Sequence, residues 1–491
     1  MKVLSASFLP SLIGSINTTG LRDKVWLVGG AVRDSFLDRE VSDFDFAVDG
    51  DAVDLARKFA DDLNAGFYIL DQSRGTARVI EQEHGHHLRT YDFARLRGVD
   101  IKSDLMSRDF TVNAMGYDVL VADDLLDPCG GVQDLINSKL RVCSKSSILD
   151  DPVRTIRAVR LASQLEFQIM PDTVELVREG IPGLVGVSPE RKRDELFEML
   201  NDPRPDRALR LLDHFGITKI VLSSPEVESD LEPLPMAPNS LRVVGAAVDL
   251  TTILVDHKNP DAVANATLGL TITQLGRFRP SIMSYLNRYM GYDHRIVQLF
   301  YFAALLAGLP GDIRRFSSLT EQEIALHIQH VKRAERISRT LRLSNMEVEW
   351  IRKCLLSQIE FGDGQKAPSD TPRNIYRYYR VAGEAGVAGI LLYLARVLGA
   401  EASPPDQGSW AVQLEAAASY LSAYFETPHD SISPEPFLKG DEMMALLGIE
   451  SGPEIGSLLE LMLEAQVSKE VTSKEEAIDF VKENLRSIQA K

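Results

Sequence analysis

The sequence holds only three cysteines, Cys129, Cys143 and Cys354, widely separated and without a CxxC pair. That excludes a disulfide framework, offers no pattern for a structural zinc site, and points to a reducing compartment. A continuous apolar run is missing too. The most apolar stretch, around Val387 to Leu398, contains Arg396 and falls short of the roughly 18 uninterrupted apolar residues of a membrane span, so no membrane association is expected. The first twenty residues have one lysine, and their apolar residues are interrupted by serines, Pro10 and Gly14. A secretory leader needs a continuous apolar core, and a cytoplasmic location is expected instead.

Excess positive charge is also lacking: 54 Lys and Arg face 71 Asp and Glu, a net charge of -17. Phosphate binding relies on Lys and Arg that neutralise the backbone and release counterions, so any RNA surface must be a local basic patch. What the chain does have is length. With 491 residues, 44% of them hydrophobic, it can bury more than one core, and ordinary domain sizes predict three or four units.

Between residues 25 and 140, short apolar segments of period two alternate with helical stretches, the pattern of a mixed α/β domain. From about 150 the spacing becomes three and four, as in Leu149, Val153 and Ile156 and again in Leu196, Met199 and Leu200, which describes amphipathic helices. The fold class predicted is therefore α+β, a mixed α/β head followed by an elongated all-α neck, body and tail. Residues 1–140 form the head, 141–222 the neck, 241–400 the body and 410–491 the tail. Periodicity lapses at the Pro-rich segments 223–240, 362–372 and 402–409, read as linkers.

The chemistry concentrates in the first third. Val25 to Val28 reads as a buried strand running into Gly29-Gly30, with a helix beginning near Ala31. Glycines at such a turn let a phosphate approach the backbone, although a Gly-Gly turn alone is more often an ordinary tight turn. In Asp43-Phe44-Asp45-Phe46-Ala47-Val48, strand alternation puts Asp43 and Asp45 on one face and the aromatic residues on the other. Adjacent like charges repel, so the pair is expected where a divalent cation, commonly magnesium, neutralises it; the alternative is a solvated strand face. A second strand, His87 to Ala94, puts Asp92 opposite Tyr91 and Phe93, where it is either a third carboxylate of the cluster or a surface aspartate.

Two more segments carry charge. Ser107-Arg108-Asp109-Phe110-Thr111-Val112-Asn113 leads into apolar residues at helical spacing, and Asp150-Asp151-Pro152-Val153-Arg154 reads as a helix start, with proline in the first turn and aspartates at its positive end. Asp151 and Arg154, three apart, offer one acceptor and one bidentate donor, enough to meet the edge of a base or simply to pair with each other.

In this order the motifs resemble the bacterial and eukaryotic class of CCA-adding enzymes and poly(A) polymerases, within the DNA polymerase beta-like nucleotidyltransferase superfamily. The resemblance is carried by Gly29-Gly30-Ala31-Val32-Arg33-Asp34, Asp43-x-Asp45, Arg108 to Ala114, Asp127-Pro128-x-Gly130-Gly131-x-x-Asp134-Leu135, Asp151-Pro152-Val153-Arg154, Arg157-Ala158-x-Arg160, and Ser188-Pro189-Glu190-Arg191-x-x-x-Glu195-Leu196. It spans about residues 25 to 215 and returns near the C-terminus, in Leu438 to Asp441 and Gly452 to Gly456.

The resemblance implies template-independent addition of CCA to the 3′ end of tRNA from CTP and ATP, with two magnesium ions. Asp43 and Asp45 would hold the metals, with Asp92 a third catalytic carboxylate. Gly29, Gly30 and Arg33 would grip the triphosphate, Arg108 and Asp109 would sense the ribose, and Asn113, Arg157 and Arg160 would complete the nucleotide site. Asp151 and Arg154 would read the base. The neck cluster Arg191, Lys192, Arg193, Arg207 and Arg210 would meet RNA phosphates, unless it is a solvated charged face.

Ser107, Asp150 and Leu161 depart from the family's usual arginine, glutamate and phenylalanine, the first bearing on ribose discrimination. The same motifs serve CC addition, A addition and poly(A) synthesis; a loop from Asp71 to His87, long enough to reorganise between CTP and ATP, favours complete CCA addition. A non-catalytic RNA-binding homologue would have lost Asp43, Asp45 or Arg154, and an antibiotic-modifying enzyme would need no base reader. Asp293-His294 is not followed by a second His-Asp, so the helix after it is expected to be plain core without phosphohydrolase activity.

Overall fold

The computed structural model describes residues 7–21, 24–82, 88–121, 125–223, 238–255, 266–291, 294–307, 321–362, 369–399 and 405–488. Much of the three linkers, His86, His87 and Asp293 lie outside these residues. The chain divides into two compact units, Met1–Arg191 and Lys192–Lys491.

The first unit is built on a seven-stranded sheet. In chain order its elements begin with α1 (Leu9–Thr19), β1 (Val25–Val28), α2 (Gly30–Phe36), β2 (Asp43–Val48), α3 (Ala52–Leu63), β3 (Gly66–Asp71), β4 (Thr76–Gln82) and β5 (Leu88–Arg95). They continue with α4 (Ile101–Met106), β6 (Gly116–Asp118), β7 (Leu125–Leu126) and α5 (Gly131–Ile136). The strand order is β3-β4-β5-β2-β1-β6-β7. All neighbours are antiparallel except β2 and β5, which run parallel with Asp45 opposite Asp92.

Alternation along β2 and β5 explains why the sheet has two chemically distinct faces. Phe44 stacks on Tyr91 at 5.4 Å and Phe46 on Phe93 at 4.9 Å. Both pairs lie under Phe59 of α3, with Phe8 edge-on to Phe44 at 4.6 Å. Each such aromatic pair adds about 0.5–1.5 kcal/mol beyond its buried area, so register is strongly fixed: a slip by one residue would expose the aromatics and bury the carboxylates. The opposite face is left to Asp43, Asp45 and Asp92.

After the sheet come β8 (Lys139–Leu140), α6 (Ser147–Asp150), α7 (Arg154–Leu165), β9 (Gln168–Ile169) and α8 (Pro171–Gly180), with β8 and β9 pairing in parallel. Helix α9 (Pro189–Leu200) crosses the boundary between the units. Two local expectations are corrected. The helix expected from Pro152 begins at Arg154, because the bonds Arg154 N–H to Asp151 O and Thr155 N–H to Pro152 O close three-residue turns first. The segment after Arg108 is no helix beyond a single 3-10 turn, Thr111–Asn113. Phe110 is extended and bridged to Val142, and the chain at Thr111 is pressed against Gly131, where an added Cβ would lie 2.2 Å from the Thr111 carbonyl oxygen. Leu149, expected in an apolar stripe, is exposed, whereas Val153, Ile156, Leu196, Met199 and Leu200 are buried.

The second unit is helical among the described residues, apart from a two-stranded ribbon at Tyr289–Met290 and His294–Arg295. At its centre the almost wholly buried helix Gly386–Gly399 packs against Asn345–Gly362 and Pro238–Val255. The stretch Pro372–Gly399 has the length and hydropathy of a membrane span, yet it is interrupted by a 3-10 turn at Gly383–Ala385 and its most apolar part is mostly buried inside the protein. Arg396 within it is buried and donates to Gln358 Oε1 at 2.9 Å. Ile296–Leu306, after His294, is a core helix, and His294 Nδ1 lies 2.6 Å from Glu347 Oε1. The C-terminal helices enclose their own cluster around Leu438, Met443, Leu458 and Met462.

Candidate active site

Strand β2 places Asp43 and Asp45 on its accessible face. Asp43 is held by the hydroxyls of Thr90 and Ser42, the latter at 3.0 Å. Asp45 is reached by solvent yet hemmed in by protein on most sides. That crowding is the leading reason its carboxyl is held above the usual range; Asp92 and Asp43 push the same way and Arg108 opposes them. An accessible carboxylate that its own surroundings disfavour is one that a cation would relieve.

Asp92 sits beside Asp45 but is gripped bidentately by Arg78, at 2.7 Å from both Nε and Nη2. Its charge therefore reaches the cluster while its oxygens are committed. Among the described residues no group of three or more His, Cys, Asp or Glu converges as a metal site. The pair Asp43 and Asp45 nevertheless fits magnesium, which commonly takes one or two carboxylates and leaves its other positions to water and substrate phosphates.

The Gly29 turn closes the site from the side. Gly29 has φ +77, a region that suits glycine, and an added Cβ would meet Arg108 Nη1 and Asp45 Oδ2 at 3.1 Å each. Arg108 is aimed there by Asp104, which accepts from its Nε and Nη2 at 3.2 Å. Arg33 lies over Gly30 and spends its donors on Asp34, at 2.8 and 2.7 Å, and on Asn113 Oδ1 at 2.7 Å.

Asn113 passes the connection on to Asp109, which is buried. Asp109 accepts from Asn113 Nδ2 (3.2 Å), the Phe110 amide (2.8 Å) and Arg157 Nη1 (3.0 Å). Burial works to raise its pKa, but Arg157 and these donors prevail and hold it below the usual carboxylate range. In geometry the buried Asp109 and the partly exposed Asn113 and Arg157 form a polar relay that braces Arg33, while Arg160 donates to Gln164 at 3.1 Å. The Asp127-to-Leu135 motif lies beneath. Asp127 accepts from the amides of Gly131 and Val132, and Asp134 accepts from Thr111 Oγ1 at 2.8 Å.

Arg154 is fixed by Ser147, whose carbonyl and hydroxyl oxygens accept from its Nη1 at 3.1 and 2.9 Å. The carbonyl of Ser107 accepts from Nη2 at 3.4 Å. Arg154 stands 3.8 Å from Asp151, but the shorter contact to Asp151 comes from Arg191 Nη2, at 2.7 Å. Of the neck cluster, Arg193 bonds to Asp194 and the Arg342 carbonyl, and Arg210 stands 3.9 Å from Asp206. Lys192 is half-buried, which lowers its pKa. Asp104, Ser147 and Arg78 went unnoticed in the sequence. Only Asp104, one helical turn before Arg108, left a signal there.

A carboxylate pair on a sheet face, bordered by a glycine turn and by an arginine that a polar relay braces, defines the head of a nucleotidyltransferase. Residues 25–141 match the poly A polymerase head domain, and residues 166–231 match a probable RNA and SrmB-binding site of polymerase A. A CC-adding tRNA nucleotidyltransferase of Geobacter sulfurreducens is 30% identical over 96% of this chain and 94% of its own length. An A-adding tRNA nucleotidyltransferase of Deinococcus radiodurans is 28% identical over 93% and 94%. The fold is also that of a CCA-adding enzyme solved with ATP, with a TM-score of 0.57 and 21% identity over 99% of this chain and 96% of that one. The chain belongs to the tRNA nucleotidyltransferase family.

Proposed function

We propose that the protein adds nucleotides from CTP and ATP to the 3′ end of tRNA in the cytoplasm, without a nucleic-acid template, building the CCA end and releasing pyrophosphate. The observation that carries this reading is the pair Asp43 and Asp45 beside the Gly29 turn, with Asp151 and Arg154 displayed in the same unit. Magnesium held by Asp43 and Asp45 would supply charge neutralisation for the attacking 3′-hydroxyl and the departing pyrophosphate.

The chain's own residues do the rest. Asp92, held by Arg78, adds negative charge that favours a cation at Asp45. Arg108, steadied by Asp104, faces the space that Gly29 leaves open, where it can meet the nucleotide. Arg33 exchanges part of its bonding to Asp34 and Asn113 for the triphosphate. Asp151 accepts the exocyclic amine that cytosine and adenine share, and rejects the carbonyl that uracil and guanine carry there. Lys192, Arg207 and Arg210 supply cations for tRNA phosphates.

A second reading is addition of CC alone, with a separate enzyme supplying the terminal A. It is favoured by the CC-adding relative that aligns almost end to end, whereas the loop from Asp71 to His87, expected to reorganise between CTP and ATP and so to favour complete CCA addition, is not a long loop among its described residues. Residues 72–75 of that loop are a tight turn and 76–82 are strand β4.

The test is incubation with magnesium and labelled CTP or ATP, using tRNA transcripts ending at the discriminator base, at C and at CC. Gain of CC followed by one A is expected. Gain of CC only, of the last A only, or of a long A tail would replace the CCA reading with the corresponding activity. Asp43→Ala and Asp45→Ala should each abolish incorporation while tRNA binding persists, and retained turnover would refute the metal assignment.

A further inference from the structure

Arg191 was expected among cations that meet RNA phosphates, yet its guanidinium is turned onto the base-reading carboxylate. Its Nη2 donates to Asp151 Oδ2 at 2.7 Å, much closer than Arg154 Nε at 3.8 Å on the same oxygen. Arg154 meanwhile spends Nη1 on Ser147 and Nη2 on the Ser107 carbonyl. The strong bond that orients Asp151 thus comes from the first turn of α9, forty residues away in sequence.

We infer that Arg191 is a positioning residue for nucleotide selection: it occupies Oδ2 of Asp151 and fixes the carboxylate so that Oδ1 is presented to the incoming base. The inference rests on the proposed role of Asp151 in reading the base. The chemistry favours such a clamp. An unrestrained carboxylate has two equivalent oxygens and can rotate to suit several donor patterns, or let water bridge it to a carbonyl edge. Held at one oxygen by a charge-assisted bond, it offers a single acceptor in one direction. Only a base with an amine at that point, cytosine or adenine, satisfies it, whereas uracil or guanine leaves acceptor facing acceptor. Arginine suits this task better than lysine, because its planar fork is less free to swing away.

The experiment compares the full-length protein with Arg191→Gln, Arg191→Lys and Asp151→Asn on a tRNA transcript lacking CCA. It measures kcat/KM for CTP against UTP and, in parallel, Kd for the transcript by filter binding. Arg191→Gln should lower the CTP-to-UTP preference roughly tenfold, the size of one charge-assisted hydrogen bond. Kd for tRNA should change less than about twofold, since a single lost phosphate contact would weaken it more. Arg191→Lys should recover part of the preference, which a folding defect would not predict. If Asp151→Asn relaxes the preference and Arg191→Gln does not, or if Arg191→Gln weakens tRNA binding while the preference stands, the inference is overturned and base reading by Asp151 survives. If Asp151→Asn leaves the preference intact, base reading falls and the inference with it.

Discussion

Asp109→Asn isolates what the relay around the buried Asp109 contributes. The side chain keeps its shape and can still accept from the Phe110 amide, but the charge opposite Arg157, 3.0 Å away, is lost. Breaking one partner of a buried ion pair costs about 3–5 kcal/mol. Because one hydrogen bond is retained and Arg157 is partly exposed, the low end applies, about 3 kcal/mol. With a urea dependence of about 2 kcal/mol per molar for a unit of this size, the midpoint of the first unit should fall by about 1.5 M. Hydrogen exchange of peptides covering residues 105–118, followed against urea, reads this unit separately from the helical one. The sign with pH follows from the lowered carboxyl. Its contribution is complete above the unfolded value, about 3.9, and disappears as pH falls through the lower folded value, so wild type and variant should converge in acid. A midpoint shift below about 0.3 M at pH 7, or a gap that stays constant into acid, would refute the relay as described.

Gly29→Ala should leave the protein folded, at a cost of about 1–3 kcal/mol for the strained backbone. Incorporation should drop on the order of 100-fold, because the new methyl displaces Asp45 or Arg108; near-normal kcat/KM would contradict the packing at this turn. In the helical unit, burial and then the nearby Arg396 depress His327 to about 3. The unfolded chain takes up that proton first, near pH 6.5, so the unit should lose about 3 kcal/mol between pH 6.5 and 4. Thermal melts across that range should show the slope, and His327→Gln should flatten it; an unchanged slope would exclude His327 as its source. Arg377→Ala removes the pairing of Arg377 with Glu464, at 2.7 and 2.5 Å. It should raise exchange in Pro453–Val467 without altering incorporation on a short CC-ended RNA hairpin, and unaltered exchange would mean the pair contributes nothing.

The chain alone determined the strand faces, because period-two alternation in Asp43 to Val48 leaves one way to bury Phe44 and Phe46. The order of short motifs was local as well, and it carried the family. Several roles were not local. Arg33, Asn113, Asp109 and Arg157 form one relay only because the 3-10 turn at Thr111–Asn113 and helix α7 meet in space, and each looks in sequence like an independent ligand to the nucleotide. That turn itself read as a helix, since helical spacing of apolar residues cannot reveal that Gly131 will press against Thr111 and hold the chain extended at Phe110. Asp92 gave no sign of Arg78 and Asp151 none of Arg191, because partners on neighbouring strands, or forty residues apart, leave no periodic trace. Periodicity records which side of an element is buried, and only the packed structure decides which charges that burial brings together.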